Sequence, residues 1–235
     1  MLFKQAAQDE ICFYTQKLYP LQDDILNYIQ NNSFYLTGGT TLSRYYYNHR
    51  FSDDLDFFYD GYQFSREGFN VSFREIVNRL DRAFPAPNML TITIDGEFFK
   101  RLFITRENIS LKLEFIYENY KTIGTRTLEK NIWLDSKENI CANKIGTVME
   151  RRTTKDFVDL FYLLQTIDFE QAVQWSEYKR IPPGYENLMI GLGDLLKAPD
   201  NLEGTVLLIK PIDQIQFSTF TQKIIGDLLH ASKNR

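Results

Sequence analysis

The sequence predicts an α+β fold, with helices and strands interleaved over residues 1–130 and an almost wholly helical part over residues 131–235. Three observations predict it. Apolar residues recur at helical spacing in the first thirty residues and again from about Asn139 onward. Between them lie short β-like runs bounded by Gly-Gly, by paired prolines or by Asp95-Gly96. No internal repeat or low-complexity stretch suggests a solenoid or a linker.

In order along the chain, Gln8 to Tyr19 and Leu21 to Ile29 read as two helices punctuated by Pro20. Phe34-Tyr35-Leu36 is a short strand that ends in Gly38-Gly39. Thr40 to His49 is helical, with Leu42, Tyr45 and Tyr46 on one side. Leu55 to Tyr59 is a second strand and Glu67 to Phe84 a long amphipathic helix. After Pro85 and Pro87 come three strands: Met89 to Ile94, Phe98 to Thr105 and Ser110 to Tyr117. Asp95-Gly96 joins the first two as a hairpin. From about Asn139 the chain is helical, broken at Pro182-Pro183-Gly184 and by the apolar run Val206 to Ile209.

Composition excludes several classes of function. A net charge of −4 argues against a protein that coats nucleic acid electrostatically, so a nucleic-acid substrate needs a local basic patch. Cys12 and Cys141 are far apart, and with His49 and His230 they form no zinc pattern. The opening residues carry no signal pattern and no run of eighteen apolar residues occurs, so the expected compartment is the cytoplasm, without membrane. The 19 Phe and 14 Tyr fall mostly in periodic segments and read as an aromatic core.

The chemistry lies in Leu36-Thr37-Gly38-Gly39-Thr40-Thr41 and in Phe51-Ser52-Asp53-Asp54-Leu55-Asp56-Phe57-Phe58. Two glycines between a strand and a helix let a phosphate approach the backbone, where the helix start offers free N–H groups. Thr40 adds a hydroxyl. Alone, Gly-Gly-Thr is equally a plain helix entry, and neither the Gly-Lys-Ser/Thr of a P-loop nor a dinucleotide fingerprint follows. Asp54 and Asp56 change the odds. Residues two apart share a strand face, so these carboxylates point one way while Leu55 and Phe57 point into the core. Adjacent carboxylates repel unless a cation lies between them, and an all-oxygen pair suits Mg2+ or Mn2+.

Leu111-Lys112-Leu113-Glu114-Phe115 supplies a third carboxylate. Its leucines and Phe115 line one face, Lys112 and Glu114 the other, which makes Glu114 the candidate third metal ligand; without the upstream motif it would be an exposed Lys-Glu face. Lys144 and Arg151 are seven apart, two turns of a helix, and can hold a triphosphate together; as an isolated pair they would be a solvated cationic face. Asp156 opens a helix with the buried stripe Phe157, Leu160, Phe161 and Leu164, where it either stabilises the helix start or acts in catalysis. Asp159 reads as structural, and His49 as a helix-terminal residue without chemistry. Ser52 touches a phosphate or fixes the turn.

Gly-Gly-Thr, a helix ending in His49-Arg50, and Phe-Ser-Asp-Asp-Leu-Asp-Phe-Phe together resemble the AbiEii/AbiGii toxin family of nucleotidyltransferases, of the DNA polymerase β-like superfamily. Lys144, Arg151 and Lys155-Asp156-Phe157-Val158-Asp159-Leu160-Phe161 resemble a second block of that family. Ile209-Lys210-Pro211-Ile212-Asp213 resembles its ending. Glu114, Lys155 and Thr147 depart from the family's commoner Asp, Arg and small residue, but no carboxylate and no key lysine is lost.

The resemblance implies a polymerase β-like domain with a mixed sheet and flanking helices, followed by a helical domain. It implies transfer of a nucleoside monophosphate from an NTP to an acceptor hydroxyl. Asp54, Asp56 and Glu114 would hold Mg2+ or Mn2+, and Gly38, Gly39, Thr40, Ser52, Lys144 and Arg151 the NTP. Lys144 and Asp156 would act in catalysis. It further implies a toxin with a cognate antitoxin protein and an RNA acceptor such as the tRNA 3′ end. A kinase on the same fold and a non-catalytic nucleotide- or antitoxin-binding module are the alternatives.

Overall fold

A computed structural model describes residues 3–29, 33–85, 90–148, 151, 153–179 and 202–233. The chain divides into two compact units. One comprises Ala6–Tyr46 and Phe51–Ser136, the other Met1–Gln5, Tyr47–Arg50 and Lys137–Arg235. The expected break at Pro182-Pro183-Gly184 and the expected strand start at Met89 lie outside the described residues.

The second of these units takes in the first strand, β1 (Phe3–Gln5). The α+β unit then begins with α1 (Gln8–Phe13), a π-helical turn over Tyr14–Leu18 and α2 (Tyr19–Tyr28). The sequence suggests two helices separated at Pro20; instead the helix runs on through the proline. Pro20 lies in the first turn of α2, directly after the wide π-turn, where a missing N–H disturbs least.

Seven strands form one sheet: β2 (Phe34–Thr37), β3 (Leu55–Asp60), β4 (Leu90–Asp95), β5 (Phe99–Arg106), β6 (Ile109–Glu118), β7 (Thr127–Glu129) and β8 (Ile132–Leu134). Their order is β4-β5-β6-β3-β2-β8-β7. The β3–β6 and β2–β8 pairs are parallel and the others antiparallel, so the sheet is mixed as expected. β7 and β8 are only three residues long each, too short to show a period of two.

Between β2 and β3 lie α3 (Gly38–Thr41) and a second π-helical turn, Leu42–Tyr47. The π-turn shifts the buried face: Leu42 and Ser43 are buried, while Tyr45 and Tyr46 are only half-buried. After β3, α4 (Arg66–Ala83) starts at Ser65, whose hydroxyl accepts the Gly68 N–H at 3.1 Å. Its buried residues Phe69, Phe73, Ile76 and Leu80 recur at helical spacing.

Alternation along β3 buries Leu55, Phe57 and Tyr59, and along β6 Leu111, Leu113 and Phe115. Phe115 is the hub of the core. It stacks on Phe57 with centroids 5.1 Å apart and meets Phe34 at 5.3 Å and Phe73 at 5.2 Å edge-on. Phenylalanine thus fills much of the interior, although Phe13, Phe64 and Phe98 are exposed.

The other unit contains α5 (Lys137–Val148), α6 (Thr154–Leu163), α7 (Phe169–Tyr178), β9 (Val206–Leu208) and α8 (Gln214–Lys233). β9 pairs in parallel with β1, which gives the expected apolar run a partner nearly the whole chain away. Asp213 caps α8, its Oδ1 accepting the Ile215 and Gln216 N–H groups at 2.7 and 3.1 Å. Among the described residues no helix is long and apolar enough to cross a membrane.

Phe115→Ala should cost about 3–5 kcal/mol, because it leaves a cavity that three rings line. Urea unfolding checks this; a loss of about 1 kcal/mol or less would mean that the rings collapse into the space.

Candidate active site

Asp54 directly precedes β3 and Asp56 is its second residue, so both project from the face opposite Leu55 and Phe57. Parallel pairing sets Asp56 beside Glu114 and Leu55 beside Leu113. Thr37, the last residue of β2, pairs with Asp56 on its other side, which brings the glycine turn over this carboxylate. Gly38 has φ of +71°, and a Cβ there would stand 2.7 Å from Asp56 Oδ2. The left-handed backbone favours glycine at this point, and a Cβ would push the Asp56 carboxylate aside.

The turn and the acidic loop are fastened to each other. Thr40 Oγ1 lies 2.9 Å from Ser52 Oγ, and the Thr40 hydroxyl donates to the Asp54 carbonyl. Both side chains are buried, so the expected phosphate contacts of Thr40 and Ser52 compete with a bracing role already filled. The loop is also held by residues without a sequence signal. Tyr14 donates its hydroxyl to Asp53 Oδ1 at 2.6 Å and stacks on Phe51. Gln22 Nε2 donates to the carbonyls of Ser52 and Asp53 at 3.3 and 2.9 Å. Burial first, then the Asp53 carboxylate, pushes the Tyr14 phenol well above its ordinary pKa, so it remains a donor. Below the turn, Thr37 donates to the buried Asp135 at 2.6 Å.

Glu114 is committed to cations. Arg101 Nε lies 2.8 Å and Nη2 2.6 Å from its Oε1, and Lys112 Nζ lies 3.3 Å from the same oxygen. Lys112 Nζ also lies 3.0 Å from Asp54 Oδ2. Burial alone would raise the Glu114 pKa, but Arg101 and Lys112 outweigh it and hold it below the ordinary carboxylate value. Among the described residues no three His, Cys, Asp or Glu side chains form a group able to hold a metal ion. The structure therefore sets Glu114 beside Asp56 in register while turning its carboxylate toward Arg101 and Lys112. Asp54 and Asp56 remain a pair of hard oxygen donors beneath a glycine turn, which suits a magnesium-like cation, and the Lys112 ammonium already supplies positive charge beside Asp54.

In the helical unit, Lys144 is buried and its Nζ contacts Asp156 Oδ1 at 2.6 Å and Asp159 Oδ2 at 2.7 Å. α5 is described as far as Val148, and the Arg151 N–H donates to the Thr147 carbonyl at 3.0 Å, the four-residue bond of a helix. Asp156 joins Lys144 and Arg151: Arg151 Nε reaches its Oδ2 at 2.8 Å, and Thr153 donates to the same oxygen. Arg151 is the exposed member, at 54%. Asp159, fully buried, accepts Arg50 Nε at 2.7 Å and Nη2 at 2.9 Å, and lies 2.8 Å from His49 Nε2. α6 buries Asp156, Val158, Asp159 and Leu163 as well as the expected Phe157 and Leu160; Phe161 and Leu164 are half-buried. Two carboxylates inside a buried helix face were the available signal for this cluster. His49 and Arg50, far upstream, belong to the family-like block, but nothing in the sequence paired them with Asp159.

Burial would raise both carboxylate pKa values, yet the cations win. Asp156 falls from 3.8 to about 2, chiefly through Lys144 and Arg151, and Asp159 lies well below the usual range through Arg50 and Lys144. His49 is lowered by burial, which Asp159 only partly offsets.

Comparison with known proteins agrees with this architecture. The profile of the family described as nucleotidyl transferase AbiEii toxin, type IV toxin–antitoxin system, matches residues 21–228. An uncharacterised protein of Aquifex aeolicus is 28% identical over 147 residues, which span 57% of this chain and 59% of that relative. The crystal structure of JHP933 from Helicobacter pylori superposes with a TM-score of 0.58 at 18% identity, covering 98% of this chain and 96% of the other. A second H. pylori structure gives 0.57 at 19% identity, with 94% and 97% covered. At such identities the likeness shows the fold.

A carboxyl whose pKa is depressed on folding stabilises the protein fully above its unfolded value, and that stability disappears as pH falls through the folded one. For Asp156 the loss spans 3.8 down to about 2. Asp156→Asn should therefore lower stability near neutrality while making the decline below about pH 4 shallower. Urea midpoints against pH check this; an unchanged acid slope would show that Asp156 is not depressed.

Proposed function

This chain belongs to the AbiEii nucleotidyl transferase toxin family, and from that premise we propose that it moves a nucleoside monophosphate from an NTP to the hydroxyl of an RNA acceptor such as the tRNA 3′ end. The observation that carries the reading is the Asp54–Asp56 pair on one strand face with Gly38 closed over the Asp56 carboxylate. Two like charges side by side repel, and a divalent cation held between them would relieve that repulsion.

In this reading the acceptor oxygen bonds to the α-phosphorus, the bond from that phosphorus to the β-bridging oxygen breaks, and pyrophosphate leaves with those electrons. The acceptor proton passes to a carboxylate or to water. Asp54 and Asp56 would hold Mg2+ or Mn2+, which when bound would screen the phosphates and lower the pKa of the attacking hydroxyl. Gly38 and Gly39 present backbone to the β- and γ-phosphates. Thr40 and Ser52 keep that backbone aligned with Asp54. Glu114 completes the acidic face, with Arg101 fixing its orientation. In the helical unit Arg151 is the side chain able to meet a phosphate, while Lys144 and Asp156 set its position. The family description supports a toxic role with an antitoxin protein as partner, and a reaction that consumes NTP and RNA makes the cytoplasm the proposed compartment.

With α-labelled NTP, label should appear on RNA together with pyrophosphate, and γ-labelled NTP should leave RNA unlabelled. Label arriving only from the γ-position would establish the kinase reading instead. Asp56→Asn should remove turnover by at least about a hundredfold while the protein stays folded. Retained activity in that variant would remove Asp56 from the site.

A further inference from the structure

Lys112 occupies an unusual place. Its neighbours on β6, Leu111 and Leu113, are buried, and it lies on the acidic face with Glu114. Continuing the β3–β6 register by one residue sets Lys112 opposite Asp54, just as Glu114 is opposite Asp56. On the far side, β5 sets Arg101 opposite Glu114.

The ammonium lies between two carboxylates that would otherwise call for an added cation, 3.0 Å from Asp54 Oδ2 and 3.3 Å from Glu114 Oε1. Lys112 is 27% exposed. It can therefore leave toward water without burying an unpaired charge, since four methylenes and strong hydration make its head group mobile. Lys144 is the opposite case: it is locked between two carboxylates that are fully buried. Arg101, with both Nε and Nη2 on one Glu114 oxygen, is the fixed partner of that residue.

We propose that Lys112 is a resident counter-ion, which holds Asp54 and Glu114 together until a divalent cation displaces it. The proposal rests on the metal reading of Asp54 and Asp56. Lys112 then behaves as a tethered competitor: it neutralises the acidic face in the free protein and weakens metal binding by the strength of its own ion pairs. Once displaced it leaves the shared Glu114 oxygen to Arg101 alone. Its function is to keep the site closed to weakly held cations and to couple metal entry to a rearrangement of Glu114, so it is a positioning residue and does not touch the reacting atoms.

Mn2+ binding tests this without turnover, by titrating the full-length protein and reading free Mn2+ by electron paramagnetic resonance. Lys112→Met should bind Mn2+ about fivefold more tightly, the equivalent of roughly 1 kcal/mol for a partly exposed ion pair. Lys112→Arg, which keeps the charge, should stay near the parent, and Lys112→Gln serves if the methionine variant does not fold. Unchanged or weaker binding in Lys112→Met and Lys112→Gln, with binding still lost in Asp56→Asn, would overturn the counter-ion role and leave the metal reading standing. Binding equal to the parent in both Asp54→Asn and Asp56→Asn would overturn the metal reading and the inference together.

Discussion

A carboxylate taken out of water costs several kcal/mol unless cations and donors replace its hydration, and Asp159 is completely buried. It survives because Arg50 grips both of its oxygens, Lys144 reaches one and His49 the other. That requirement dictates much else in the helical unit. Lys144 must come in from α5 and share itself with Asp156. Tyr47–Arg50 must depart from the unit that precedes and follows it in sequence. The main chain reinforces this placement, with the Ile209 and Lys210 N–H groups both donating to the His49 carbonyl at 2.9 and 3.1 Å.

The acidic face of the sheet meets the same constraint at lower burial and reaches a looser solution. Asp54 is 31% and Glu114 15% exposed, so their cations need only partly replace water. A buried cluster of this kind is a rigid fixture, because losing any partner strands a charge; a half-exposed one can exchange partners with solvent or with a ligand. Permanence belongs to the cluster around Asp159, and exchange to the face that carries the proposed chemistry. The π-turns at Tyr14–Leu18 and Leu42–Tyr47 serve this second site. The first carries the tyrosine that fixes Asp53, and the second continues the helix that begins at the glycine turn.

Local chemistry made the acidic motif legible in the sequence. The period of two in β3 and β6 requires Asp54 and Asp56 to face one way and Leu55 and Phe57 the other, whatever surrounds them. Gly38-Gly39 marks a turn because few residues tolerate the left-handed backbone that Gly38 adopts, and Asp95-Gly96 marks a break between two strands. Apolar periodicity identified α4, the core strands and α6, since burial leaves its pattern on each element separately. The continuous helix through Pro20 was not legible, because a π-turn upstream absorbs the proline without a residue signature. Neither were β1, β7 and β8, each too short to show a period.

What the sequence by itself determined is the α+β class, the paired carboxylates and the turn above them: these follow from the spacing of neighbours along the chain. Tertiary structure alone decided which charges meet. Tyr14 with Asp53, Lys112 with Asp54, and Arg50 with Asp159 are separated by tens of residues or more, and nothing in the local pattern of either member names the other. The physical reason is that periodicity reports the face on which a side chain lies. The partner that cancels its charge is chosen only when separate elements pack and the cost of an unpaired carboxylate selects among the cations within reach.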